Sequence, residues 1–255
     1  MNRSAGQWTR LLLGVLVVFA VFHWSAAALG SDRGQAGMLV AALVVGLTLT
    51  IERAWSGRPV VECARAIGLG RPRFQGLAVA VGVCALLLLV VPAFARVTGA
   101  SATIAPDAAA LLPGLFAQAG IAEETLFRGF LFGRVRRGRS FWTAAGWSML
   151  PFVAVHLLLF VTMPWPIALA ALFLAVVTSF PFAHLYELGG STIWAPALLH
   201  FVVQATVKIV VIDEPAAASF PLVWMVAAAV VPMLALIVPR PERSRLYYIS
   251  RFDTI

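Results

Sequence analysis

Eight stretches of mostly apolar residues, each close to the roughly 20 that a helix needs to cross a bilayer, run through this sequence. They lie near 10–29, 36–51, 76–95, 111–133, 141–161, 165–185, 191–212 and 219–239. Of the 255 residues, 61% are hydrophobic and 12% charged, whereas soluble domains carry about 25% charged residues. A chain of this size has no water-excluded core large enough for so much apolar surface, so the excess must face lipid. The sequence therefore predicts an all-α, polytopic transmembrane helical bundle of about eight spans. N-terminal transmembrane helices occupy 1–110, a central core 111–212, and a last helix with a polar tail 213–255. The second stretch is short and the fourth carries charges in its middle. Pro151, Pro181 and Pro196 fall inside spans, where proline kinks a helix or frees backbone groups.

The net charge of +8 has the distribution of a topology signal. With the N-terminus in the cytoplasm, fifteen arginines fall on the cytoplasmic side. The opposite side holds Arg33, Arg96 and the acidic pair Asp213-Glu214. Such an excess predicts an even number of spans with both termini cytoplasmic, as in a multi-pass protein of a bacterial plasma membrane. Arg3 and Arg10, followed by an apolar run and Ala26-Ala27-Ala28, also resemble a cleavable signal peptide; its loss would leave seven spans in the same orientation. No basic face interleaved with aromatics points to a nucleic-acid partner. Cys63 and Cys84 are too few for a disulfide framework or a zinc pattern and read as packing residues.

An ionisable group inside a span is costly unless paired or hydrated. The spans hold His23, Glu123, Glu124, Arg128, His156, His184, His200 and Lys208, with Gln204 as a notable amide. Glu124 and Arg128 stand i, i+4 with the acid first, the better orientation for an ion pair. Glu123 points about 100° away from Glu124 and has no partner within its own segment. A carboxyl so placed is suited to proton transfer near neutrality. His200 and Gln204, again i, i+4, put an imidazole and an amide on one helix face, and both groups can donate to a developing oxyanion. The preceding stretch from Gly190 to Pro196 is expected to leave backbone groups free near the site. His23 and His184 read as packing or interfacial residues, and Lys208 as an anchor whose stem reaches the outer interface.

Three motifs thus stand in order: Glu-Glu-x-x-x-Arg at 123–128, Phe-x-x-x-His at 152–156 and His-x-x-x-Gln at 200–204. In this order, over residues 111–212, they resemble the CPBP family of intramembrane endopeptidases, also called the Abi family, which includes the CAAX prenyl endopeptidases. The resemblance implies that Glu123 activates water with help from His156. It further implies that His200 and the residue four later steady the oxyanion, and that Glu124 and Arg128 support them. Where the family's third motif usually ends in Asn, this chain has Gln204, one methylene longer.

The expected function is hydrolysis of a peptide bond in a protein or peptide substrate at the bilayer, with no cofactor. Glu123, His156 and His200 also compose a His₂Glu set that could hold zinc, although no His-Glu-x-x-His spacing supports it. A rival from another class is a non-catalytic immunity or assembly factor built on the same polar cluster. A proton-coupled transporter would also need buried acids, but the chain shows no inverted repeat.

Overall fold

The computed structural model describes residues 3–29 and 34–240. Arg33, Arg243, Arg245 and Arg251 of the charge count lie outside the described residues, as does the side chain of Arg3.

The apolar stretches become helices. α1 (Arg3–Ala28) and α2 (Gln35–Ser56) pair along their length. α2 stops at Gly57, whose left-handed φ of 65° lets its N–H close on the Arg53 carbonyl, the usual role of a C-terminal glycine. A short α3 (Val60–Ala66) leads to α4 (Phe74–Leu88), which continues through Leu89 into α5 (Val90–Thr98) as a single apolar run. The central helix starts as α6 (Ala108–Leu115) and ends as α7 (Gly133–Val135), with two π-helical segments between them, Phe116–Ala122 and Thr125–Phe132. Ser140 caps α8 (Phe141–His156), accepting from the Thr143 N–H at 3.2 Å. The short α9 (Leu159–Thr162) extends it. α10 (Trp165–Leu188) and α11 (Trp194–Ile209) follow, and α12 (Phe220–Val230) runs on into a 3₁₀ turn, Val231–Ile237.

Six of these helical runs are long and apolar enough to cross a membrane: Gly6–Ala28, Gln35–Ser56, Phe74–Thr98, Phe141–Thr162, Trp165–Leu188 and Ala216–Ile237. The two other expected spans, 111–133 and 191–212, are helical too but differ in kind. The first carries Glu123, Glu124 and Arg128 inward. The second contributes a 16-residue α11, about 24 Å long against a hydrocarbon core of about 30 Å. Both are wrapped by the longer helices, so their polar groups face protein.

The last three residues expected in the seventh span depart from the all-α pattern. Val210–Ile212 is a strand, β2, that pairs antiparallel with β1 (Ala102–Ile104) in the register Ala102↔Ile212 and Ile104↔Val210. The Asp213 carboxylate prolongs the pairing by accepting from the Ser101 N–H and Oγ–H, each at 2.8 Å. A β-branched run at a helix end favours this extended geometry.

Two apolar clusters carry the packing. One joins α1 and α2 to the central helix and α8, around Val18, Val44, Phe130 and Leu131; the other joins α4, α10, α11 and α12, around Leu87, Leu185, Leu199 and Trp224. Large exposed apolar side chains such as Leu16, Phe173, Leu222 and Val226 lie outside them, as expected of a surface solvated by lipid.

Candidate active site

The site begins with the backbone of the central helix. In its π segments the N–H of residue i reaches the carbonyl of i−5: Glu123 N–H meets Gln118 O, and Gly133 N–H meets Arg128 O. π turns are rare and concentrate at functional sites. Here they flank the Glu123-Glu124 step on both sides. Gly120 lets this segment press against α11, since a Cβ there would come 2.9 Å from the Ala197 carbonyl oxygen. That close approach places the acids beside His200.

Glu124 is wholly buried, and its Oε1 accepts two hydrogen bonds, from Arg128 at 3.0 Å and from His200 Nδ1 at 2.7 Å. The expected i, i+4 ion pair is present, and the carboxylate also orients a histidine 76 positions away. The Arg128 guanidinium lies between two rings, 4.4 Å from the centroid of Phe152 and 5.0 Å from that of Phe182. Phe152, the first residue of the second motif, also meets Phe127 edge-on at 4.7 Å, and Phe182 packs 5.2 Å from the His200 ring. Phe182 was not singled out from sequence, because an aromatic in an apolar span carries no signal of its neighbours.

With Nδ1–H donated to Glu124, His200 presents its Nε2 lone pair to the other side. The Gln204 amide donates to it at 3.2 Å, and Lys208 donates to the Gln204 carbonyl oxygen at 3.3 Å. The amide orientation follows from its neighbours, because an ammonium requires an acceptor. Glu123 gains the partner its own segment lacks: its Oε2 lies 3.7 Å from His200 Nε2. Glu123, Gln204 and Lys208 line one small cleft of about 130 Å³ with Gln118 and, from α1, Ala26. Lys208, expected as an interfacial anchor, therefore faces the same space as the acid.

His156 ends α8 and its Nδ1 bonds the Phe152 carbonyl at 2.7 Å, which leaves Nε2 as the basic nitrogen. It stands within electrostatic reach of Glu123, His200 and Arg128. His184 is buried and bonded to the Val238 carbonyl at 2.9 Å, a packing residue, whereas His23 is exposed and stacks on Phe19. The stretch from Gly190 to Pro196 differs from expectation, because its backbone is committed. Ser191 N–H donates to Tyr186 O and Ile193 N–H to Gly68 O, which together pin the start of α11.

Two further buried acids lie just past the expected span ends and were missed for that reason. Glu52 pairs with Arg134, and Glu187 with Arg136, with Arg240 3.9 Å away. Burial holds the Arg240 guanidinium below its ordinary value, against the opposing pull of Glu187. Among the described residues, no group of three His, Cys, Asp or Glu side chains is arranged to hold a metal ion. His200 meets Glu124 through Nδ1 and Gln204 through Nε2.

Residues 105–206 match the family model of Rce1-like proteins, described as type II CAAX prenyl endopeptidases. No curated protein and no solved structure matches the chain. The matched segment, 102 of the 255 residues, holds all three motifs. With six helices long and apolar enough to cross a membrane, the chain is an integral membrane protein.

Proposed function

We propose that this chain is an intramembrane endopeptidase that adds water to a peptide carbonyl of a membrane-associated protein or peptide. The observation that carries the proposal is the shared cleft: a carboxylate, an amide and an ammonium converge on one small space, with a carboxylate-oriented imidazole behind them. Glu123 takes a proton from water as the oxygen attacks the carbonyl carbon. Lys208 and the Gln204 amide face the negative charge that develops on the carbonyl oxygen. His200 passes the water's proton from Glu123 to the departing amine, so the C–O bond forms, the C–N bond breaks and charge balances. Glu124 holds the His200 tautomer and steadies the ring when it is charged, as a buried carboxylate does for a catalytic histidine. His156 supports Glu123 from α8. The 3.7 Å separation between Glu123 and His200 is within the looseness that such contacts show before substrate binds.

Profiling new protein termini in cells that carry the wild type or Glu123→Gln tests this. Termini that appear only with the wild type, at equal protein abundance, are the expected result. Identical profiles would sink the endopeptidase and favour an immunity or assembly role. We further propose that the reaction needs no metal. Cleavage should survive chelation; loss of cleavage that zinc restores would overturn this part.

A further inference from the structure

Of the described residues that line the Glu123 cleft, Ala26, Leu115, Gln118 and Ala119 take no part in the reaction proposed above. Leu115 and Ala119 stand four residues apart on the central helix, both buried, and form a fixed apolar wall. Ala26 comes from α1, outside the matched residues 105–206, so this side of the cleft belongs to the chain's own flank.

The backbone aligns Gln118 with Glu123. In a regular α-helix, residues five apart point about 140° away from each other. The π turn that bonds the Glu123 N–H to the Gln118 carbonyl brings the two onto one face, and both line the same space. Gln118 is half-buried, and among the described residues no hydrogen bond engages its side-chain amide. Such an amide offers donor and acceptor side by side, the complement of one peptide unit.

Size is the second constraint. The cleft holds about 130 Å³, less than the roughly 150 Å³ of an apolar cavity that admits one benzene molecule. The scissile peptide group must enter this space, so the side chain beside it has room for little more than a methyl or hydroxymethyl group.

We propose that Ala26, Leu115, Gln118 and Ala119 form the substrate subsite beside the scissile bond. The Gln118 amide pairs with a backbone peptide unit, and the apolar wall with Ala26 admits only a small residue such as glycine, alanine or serine. This assignment rests on the endopeptidase reading and adds a substrate class to it.

The cleavage sites in the cellular termini profile give the first readout. Small residues should dominate at one of the two positions flanking the scissile bond. Bulky residues at both would overturn the subsite and leave the endopeptidase standing, whereas a profile without wild-type-specific termini would sink both. A synthetic peptide spanning the most frequent cleavage site then serves as substrate for the purified full-length protein in detergent. Ala26→Leu should cut its turnover by about tenfold or more. Gln118→Ala should raise KM about tenfold with kcat little changed, the mark of lost substrate binding, and Gln118→Asn should restore part of it. Unchanged kinetics in Ala26→Leu or Gln118→Ala would overturn the contact assigned to that residue. Should Ala26→Leu not fold, the same peptide with valine at the small position decides on the wild type: it should be rejected, and cleavage equal to that of the parent peptide would overturn the size limit.

Discussion

At the scale of single residues, Glu124 does more than balance a charge. One of its oxygens joins a guanidinium on its own helix to an imidazole on another. Arg128→Met should therefore destabilise the protein by about 3–5 kcal/mol, the cost of stranding a buried charge. Arg128→Lys should rescue little, because an ammonium cannot lie flat between Phe152 and Phe182. Thermal melts in detergent would check this, and unchanged melting in Arg128→Met would contradict the buried pair. Gln204 and Lys208 call for a kinetic test. Gln204→Ala should lose about tenfold or more in kcat/KM, whereas Gln204→Asn keeps an amide donor and should lose less. Lys208→Met should lower kcat, and its effect should not add to that of Gln204→Ala, since the two groups share one hydrogen bond. Full additivity would show that they act separately.

At the scale of elements, close backbone approach sets the position of the central helix. A Cβ on Gly129 would stand 2.0 Å from the Ile67 carbonyl oxygen, with no side chain there to yield. Gly129→Ala should cost about 1–3 kcal/mol through overpacking, seen as a lower melting temperature; a neutral result would mean that the loop at Ile67 moves freely. The sequence carried the elements well and their partnerships less well. Apolar length revealed the helices, and the i, i+4 spacing of Glu124 and Arg128 revealed their pair, because both are properties of one segment. Spacing along a helix could not reveal that Glu124 also holds His200, that Phe182 covers Arg128, or that Gln204 and Lys208 share a cleft with Glu123. Those contacts depend on which helices are neighbours. The strand at 210–212 was hidden because an apolar β-branched run reads equally well as the end of a span.

At the scale of the molecule, three ion contacts gather at the arginine-rich end: Glu52 of α2 holds Arg134 of α7, and Glu187 of α10 holds Arg136 with Arg240, from the segment after Ile237, 3.9 Å away. Glu187→Gln would leave Arg136 and Arg240 close together without their acid and should lower the melting temperature by several degrees; an unchanged value would show the contact to be dispensable. Thiol labelling checks the orientation that the arginine distribution predicts. A membrane-impermeant reagent on intact cells should modify Asp107→Cys and spare Arg53→Cys, with little background from the buried Cys63 and Cys84; the reverse pattern would invert the topology. The small sheet has a different consequence. Because residues 102–104 lie beside 210–212, the matched segment between them leaves and returns at one point in space. Its two ends are tied to each other, while α1 and α2 before it and α12 after it still pack into its interior.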